Sequence, residues 1–178
     1  MTSNKPELRA EAKARRQGRA STEPTSVLRD FLQQSFMPQA KIGVFYNKVG
    51  ELATTQLISE LGKHFQLFAP AVAANDLVWR RVDGNITIGK FNIAEPTSGE
   101  IISVNELDCV LVPALAVDPA GNRLGFGAGY FDRSLQNSPA MKIALVFDQD
   151  IVESVSSEDH DIKVDYISTE SRLIKIEN

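Results

Sequence analysis

Cysteine is almost absent from this chain. The single copy, Cys109, excludes an intrachain disulfide, and its apolar run Cys109-Val-Leu-Val112 reads as a buried core thiol rather than a reactive one. Histidine is nearly as scarce. His64 reads as a surface helix residue and His160 as a structural one, and neither is expected to act in catalysis. No stretch approaches the roughly 20 apolar residues of a membrane span, so no membrane partner is expected. An excess of positive charge is also lacking. The net charge is −4, which argues against nucleic acid as a partner of the whole molecule. The basic residues Lys5, Arg9, Lys13, Arg15 and Arg16 have no apolar stretch after them, so no secretory signal is read. Glu7 and Glu11 among them argue against an organellar transit peptide. A cytoplasmic monomer is the expectation.

What is present is ordinary globular composition: 178 residues, 43% hydrophobic and 24% charged. That length suits a single domain over residues 1–178 with a sizeable core. Residues 4–20 are rich in helix formers, and Val27 to Phe36 reads as a second helix. Lys41 to Tyr46 reads as a buried strand. Glu51 to Phe65 reads as a helix with Leu57, Ile58 and Leu61 on one face. A short strand, Gln66 to Ala69, is expected to end at Pro70. Leu77 to Val82 and Ile86 to Ile88 flank Asp83-Gly84-Asn85 as a hairpin would, and Glu95 to Gly99 reads as a loop. Further strands are read at Asp108 to Pro113, Met141 to Phe147 and Val164 to Thr169, with a helix from Tyr130 to Gln136. Strands alternating with helices predict an α/β fold: one three-layer-like domain whose largely parallel sheet is flanked by helices, preceded by N-terminal helices.

The segment from Pro113 to Arg133 is the richest. Glycines stand at 121, 125, 127 and 129, after a buried strand and before a helix. Glycine lets backbone N–H groups approach an anion closely, and a helix N-terminus adds partial positive charge. Arg123 and Arg133 could add charge-assisted hydrogen bonds to phosphate. The spacing is neither a Walker A sequence nor a dinucleotide fingerprint, so an ordinary flexible loop stays open on spacing alone. A second stretch, Gly84-Asn-Ile-Thr-Ile-Gly89-Lys90, copies a Walker A up to its lysine. Phe91 then stands where a hydroxyl is needed, and the β-branched residues prefer a strand.

Asn122-Arg-Leu-Gly-Phe-Gly-Ala-Gly-Tyr-Phe-Asp132, led in by Val112-Pro113 and Asp118, resembles the signature of the 5-formyltetrahydrofolate cyclo-ligases. Lys5-Pro-Glu-Leu-Arg9 is similar to their N-terminal motif, and Tyr46 with Glu51 to their early substrate strand and glutamate. Ile93-Ala-Glu95-Pro96 and His160-Asp161 through Asp165 follow in the family's order. Two positions depart: Ala128 stands where the family usually has Gly or Lys, and Phe131 where it has a second Tyr. The resemblance implies ATP-dependent, Mg²⁺-assisted closure of 5-formyltetrahydrofolate to 5,10-methenyltetrahydrofolate. It assigns ATP to Lys5, Arg9, Arg123, Leu124, Gly125, Phe126, Gly127, Ala128, Gly129, Tyr130 and Phe131. Folate falls to Tyr46, Glu51 and residues 126–130, the catalytic part to Arg123 and Tyr130, and metal to Asp132 and Asp161. Trp79, Phe91 and Tyr130 could pack against the folate rings. The alternatives are a sugar-phosphate isomerase-like or CoA-transferase-like enzyme of related fold, or a non-catalytic folate or nucleotide binder. An RNA-binding reading rests only on the N-terminal basic helix, which lacks interleaved aromatics.

Overall fold

A computed structural model describes residues 5–177; the expected helix start at residue 4 lies outside the described residues. Helix α1 (Lys5–Arg15) is followed by α2 (Ser26–Ser35), which the Thr25 side chain caps by accepting from the Val27 N–H. Then come β1 (Lys41–Gly43), α3 (Thr55–Leu61), β2 (Gln66–Ala73), β3 (Asp76–Arg81), β4 (Ile86–Ile88), β5 (Ala94–Pro96) and β6 (Ile101–Ile102). The second half holds β7 (Cys109–Pro113), β8 (Ala116–Val117), β9 (Arg123–Leu124), α4 (Tyr130–Leu135), β10 (Met141–Leu145), β11 (Tyr166–Ser168) and β12 (Leu173–Lys175).

The main sheet runs β12-β11-β10-β7-β1-β2-β3-β6. Its centre, from β11 to β2, is parallel throughout, and β12, β3 and β6 add antiparallel edges. A parallel sheet needs both faces covered. Along β7, Cys109 and Leu111 join one apolar cluster with Leu28 and Leu32 of α2 and Leu57, Ile58 and Leu61 of α3. Val110 and Val112 point the other way, into a cluster with Trp79, Val146 and Leu135 of α4. The expected helix–sheet–helix layering follows from this alternation. Burial, with Asp165 and Asp108 nearby, pushes the Cys109 thiol well up, so it is an inert core residue.

A third cluster seats Leu8 and Ala12 of α1 on Leu115, Ala116, Leu124 and Val155. The N-terminal helix therefore docks on the short β8–β9 ladder that launches the glycine loop.

Four expectations about the middle of the chain are corrected. Strand β2 runs through Pro70 to Ala73, because its β1 partner ends at Gly43, opposite Phe68, and a one-sided strand tolerates proline. The Asp83-Gly84-Asn85 turn forms, with the Asn85 N–H donating to Asp83 Oδ1, but it joins no hairpin. Strand β3 pairs back onto β2, and β4 pairs with β5 inside the stretch read as a loop. The helix read over 51–65 contracts to Thr55–Leu61. Ahead of it, Asn47 and Thr54 exchange hydrogen bonds of 3.0–3.1 Å and hold residues 47–54 as a loop.

Candidate active site

The glycine loop is built from its base upward. Asp118, 3% exposed, accepts from the backbone N–H groups of Ala120, Asn122 and Val155 and from the Asn122 side chain. That closes a tight turn and delivers Arg123 and Leu124 antiparallel to Val117 and Ala116. The chain then runs out through residues 125–129. Gly127 (φ +107°) and Gly129 (φ +68°) take left-handed conformations that a Cβ would strain. Ala128 does not, so its methyl group causes no backbone conflict. Helix α4 has only six residues, so the loop N–H groups and nearby cations, rather than a helix dipole, are what an anion would meet.

Two cavities open on this loop, and Arg123, Gly125, Gly129 and Asp132 wall both. The first, of about 310 Å³, is mainly apolar. Phe45, Tyr46, Leu77, Phe91, Phe126, Tyr130 and Phe131 line it, with Glu51 and Glu95 as carboxylates and Lys13 and Lys48 as cations. Glu51 is 7% exposed. Its Oε2 accepts the Lys48 N–H at 2.7 Å and its Oε1 faces Arg16 Nη1 at 3.4 Å. Burial pushes the Glu51 carboxyl up, against the pull of the Lys48 N–H and the Arg16 charge. Burial also raises the Tyr46 phenol, with Asp83 adding to it. Lys90 Nζ donates to the Tyr130 hydroxyl at 3.0 Å, and the Phe91 and Tyr130 rings meet edge-on at 5.8 Å.

The second cavity, of about 540 Å³, is mainly polar. Lys5, Arg9, Leu124, Gly127, Glu158, His160 and Asp161 line it beside the shared wall. Arg9 Nε donates to the Gly125 carbonyl at 3.0 Å, which pins α1 to the loop. Lys5 Nζ donates to Asp161 at 2.6 Å and to Glu158 at 2.8 Å. Burial opposes the charge on Asp161, but the Lys5 bond and the Glu158 N–H hold its carboxyl below the usual range. Between the cavities, Arg123 (5% exposed) donates to the Pro113 carbonyl at 3.0 Å and to Asp132 Oδ1 at 2.7 Å. Asp132 Oδ1 also accepts the Ile162 N–H at 3.3 Å, which brings the segment after Asp161 against α4.

Every residue that the family resemblance assigns to the site lines one cavity or the other. The phosphate candidates Lys5, Arg9, Leu124 and Gly127 fall in the polar cleft; Tyr46, Glu51, Phe126, Ala128, Tyr130 and Phe131 fall in the apolar one. Arg133 does not join them. Its guanidinium donates to the Ala128 and Asn75 carbonyls at 2.9 Å, clasping the loop to the β2–β3 turn. Trp79 is 1% exposed and donates to Ser134 Oγ, so it is core rather than a ring platform. Lys48, Lys90 and Glu95 were missed as site residues. Lys90 closes the Walker-like stretch, and Glu95 had only its Glu-Pro neighbourhood as a signal. Among the described residues no group of three or more histidine, cysteine or acidic side chains is placed to hold a metal ion. Asp132 and Asp161, two hard carboxylates lining the polar cleft beside the glycine loop, nevertheless fit Mg²⁺, which typically takes one or two carboxylates and fills its shell with phosphate oxygens and water.

Known proteins resemble this chain in sequence and fold. A 5-formyltetrahydrofolate cyclo-ligase of Mycolicibacterium smegmatis is 34% identical over 137 residues, 70% of this chain and 69% of that one. The Escherichia coli K12 protein of the same name is 31% identical over 143 residues, 74% and 79% of the two chains. The NMR structure of Aquifex aeolicus 5,10-methenyltetrahydrofolate synthetase superposes with a TM-score of 0.82 at 28% identity, covering 98% of this chain and 93% of that one. A Mycoplasma pneumoniae synthetase shares the fold at a TM-score of 0.73 and 18% identity, over 93% and 98%. The profile of the 5-formyltetrahydrofolate cyclo-ligase family matches residues 1–170, and this chain belongs to that family.

Proposed function

We propose that the chain, acting as one domain over residues 1–178, closes 5-formyltetrahydrofolate to 5,10-methenyltetrahydrofolate at the expense of ATP. The observation that carries this is the shared wall. An apolar cavity and a polar cleft meet across the shared wall of Arg123, Gly125, Gly129 and Asp132, so a bound ring and a bound nucleotide tail can touch there. The folate lies in the apolar cavity against Tyr46, Phe126 and Tyr130, and Glu51 accepts from the pterin's N–H edge. The ATP phosphates lie in the polar cleft, held by the N–H groups of residues 124–129 and by Lys5 and Arg9. Asp132 and Asp161 would hold Mg²⁺ there, which when bound would supply charge neutralisation to the phosphates.

A formamide oxygen is a poor leaving group, so it must first be activated. It attacks the γ-phosphorus, and ADP leaves. N10 then attacks the formyl carbon and loses its proton as the C–N bond forms. The C–O bond breaks, the oxygen departs in phosphate, and the methenyl cation remains. Such a transfer needs positioning and charge stabilisation rather than a nucleophilic side chain. Buried Arg123 supplies both, fixed on Pro113 and Asp132 at the boundary. The Tyr130 hydroxyl, tied to Lys90, orients the substrate.

An absorbance assay for the methenyl product tests the reading. Turnover requiring ATP and Mg²⁺ is expected, and ¹⁸O in the formyl group should appear in the released phosphate. Binding of both ligands without product would reduce the chain to a folate and nucleotide binder. Product with unlabelled phosphate would remove the phosphorylated intermediate.

A further inference from the structure

The segment that serves the polar cleft also reaches the apolar one. Lys5 and Arg9 stand in the cleft, and just past the end of α1 Arg16 turns inward behind the wall of the other cavity. Arg16 is 7% exposed. Its Nη1 donates to Glu51 Oε1, its Nη2 donates to the Ala114 carbonyl, and its Nε lies 3.7 Å from Asp150 Oδ2. A Cβ built on Gly50 would sit 2.9 Å from the Arg16 Cβ, so the backbone preceding Glu51 rests directly on this side chain. Asp150, fully buried, is held in turn by Arg19 at 2.6 Å and Arg15 at 3.5 Å. A buried guanidinium fixed from two sides cannot swing, so the carboxylate leaning on it cannot either.

We infer that Arg16 is the positioning residue for Glu51: it aims the carboxylate into the apolar cavity and keeps it ionised for the pterin's donors. The inference rests on the reading that Glu51 contacts the folate. Glu51 has few other sources of charge. Lys48 faces it from its own loop, Lys13 stands on α1, and Arg123, Asp132 and Glu95 belong to the other walls. A protonated Glu51 would present an O–H to N–H donors, so folate binding must fail as the carboxyl takes up a proton. Burial already favours that protonation, and Arg16 opposes it. Without Arg16 the acid limb of folate binding moves to higher pH.

The test is the folate Kd, measured without ATP from about pH 5.5 to 8.5, on the high side of the ordinary carboxyl range. Wild type, Arg16→Gln, Arg16→Lys, Glu51→Gln and Arg19→Gln are compared. Arg16→Gln should weaken folate about tenfold at neutral pH, the loss expected for one charged hydrogen bond, and steepen the loss toward acid. ATP affinity should stay within about twofold, because that site's cations are untouched. Arg16→Lys should restore the pH profile while leaving some weakening, since a point charge replaces a fork. Arg19→Gln breaks the shortest Asp150 pair without touching Glu51. Equal folate weakening in Arg19→Gln, or an unshifted pH profile in Arg16→Gln, would make Arg16 a merely structural residue. If Glu51→Gln weakens folate and Arg16→Gln does not, positioning fails while the folate reading stands. If Glu51→Gln leaves folate unchanged, the reading fails and takes the inference with it.

Discussion

The two cavities handle charge in opposite ways. In the polar cleft two of the acids, Asp161 and Glu158, share Lys5 at side-chain exposures from 13% to 58%. Partly exposed pairs are worth little, so an incoming phosphate or metal can exchange partners with them cheaply. In the apolar cavity the one deeply buried carboxylate, Glu51, leans on an arginine that is itself buried and fixed. Breaking such a pair leaves a stranded charge at a cost of several kcal/mol, so it does not exchange. The contrast suits a mobile, highly charged ligand on one side and a rigid ring read by a fixed edge on the other.

The largest break in this comparison should come from the shared wall. Gly129→Val forces a β-branched residue into φ +68° and sets its Cβ 2.8 Å from Arg133 Nη1. The strain alone is about 1–3 kcal/mol, and relieving it moves the loop that both ligands need. ATP affinity should fall by about a hundredfold, the equivalent of about 3 kcal/mol, with circular dichroism close to wild type. Calorimetry showing unchanged ATP affinity would remove the cradle from the phosphate site.

Next in size are the acids. Asp132→Asn should raise the Mg²⁺ requirement by at least about tenfold, as loss of outer ligands alone typically costs that much. It should also perturb folate, because Asp132 pins Arg123 at the boundary. Asp161→Asn should raise the requirement while sparing folate. Neither variant should keep full thermal stability, since Arg123 and the Ile162 N–H depend on Asp132, and Lys5 and the Glu158 N–H on Asp161. A structure with Mg²⁺ and nucleotide that holds Asp161 away from the ion would return Asp161 to a tether for Lys5.

Arg9→Ala isolates one side of the comparison. It removes a cation of the cleft and the bond to the Gly125 carbonyl. ATP should weaken about tenfold, the worth of one charge-assisted contact, with folate nearly unchanged. Equal loss of both ligands in isotherms would mean that α1 has come off the loop.

The parallel centre of the sheet and the glycine loop were legible because their signals are local: apolar runs at Cys109–Pro113 and Met141–Leu145, and four spaced glycines. The middle of the chain was not. The Asp83-Gly84-Asn85 turn was read correctly, but which strands pair across it is a non-local choice made by β2 and β5. The site was legible as a motif and illegible as a network. Arg16 is one of several basic residues along a helical stretch, and no pattern separates a guanidinium that turns inward from one that is solvated. Arg133 erred in the opposite sense: it directly follows the signature yet faces the β2–β3 turn.

The smallest effect is expected at Ala128, one of the two loop positions where the family resemblance leads one to expect another residue. If the loop required a left-handed residue there, restoring glycine would relieve strain and tighten ATP. The backbone at Ala128 is not left-handed, and its carbonyl is already held by Arg133 at 2.9 Å. Glycine would therefore only add freedom to the unliganded loop, at a cost of up to about 1 kcal/mol. Ala128→Gly should weaken ATP less than about fivefold, the equivalent of that cost. Folate should weaken by a similar factor, since residue 128 lines its cavity and the same ordering is needed for both ligands. Paired titrations decide it. A gain in ATP affinity would show that the methyl group holds the cradle away from its phosphate-binding shape, and the two cavities would then differ in backbone strain as well as in charge.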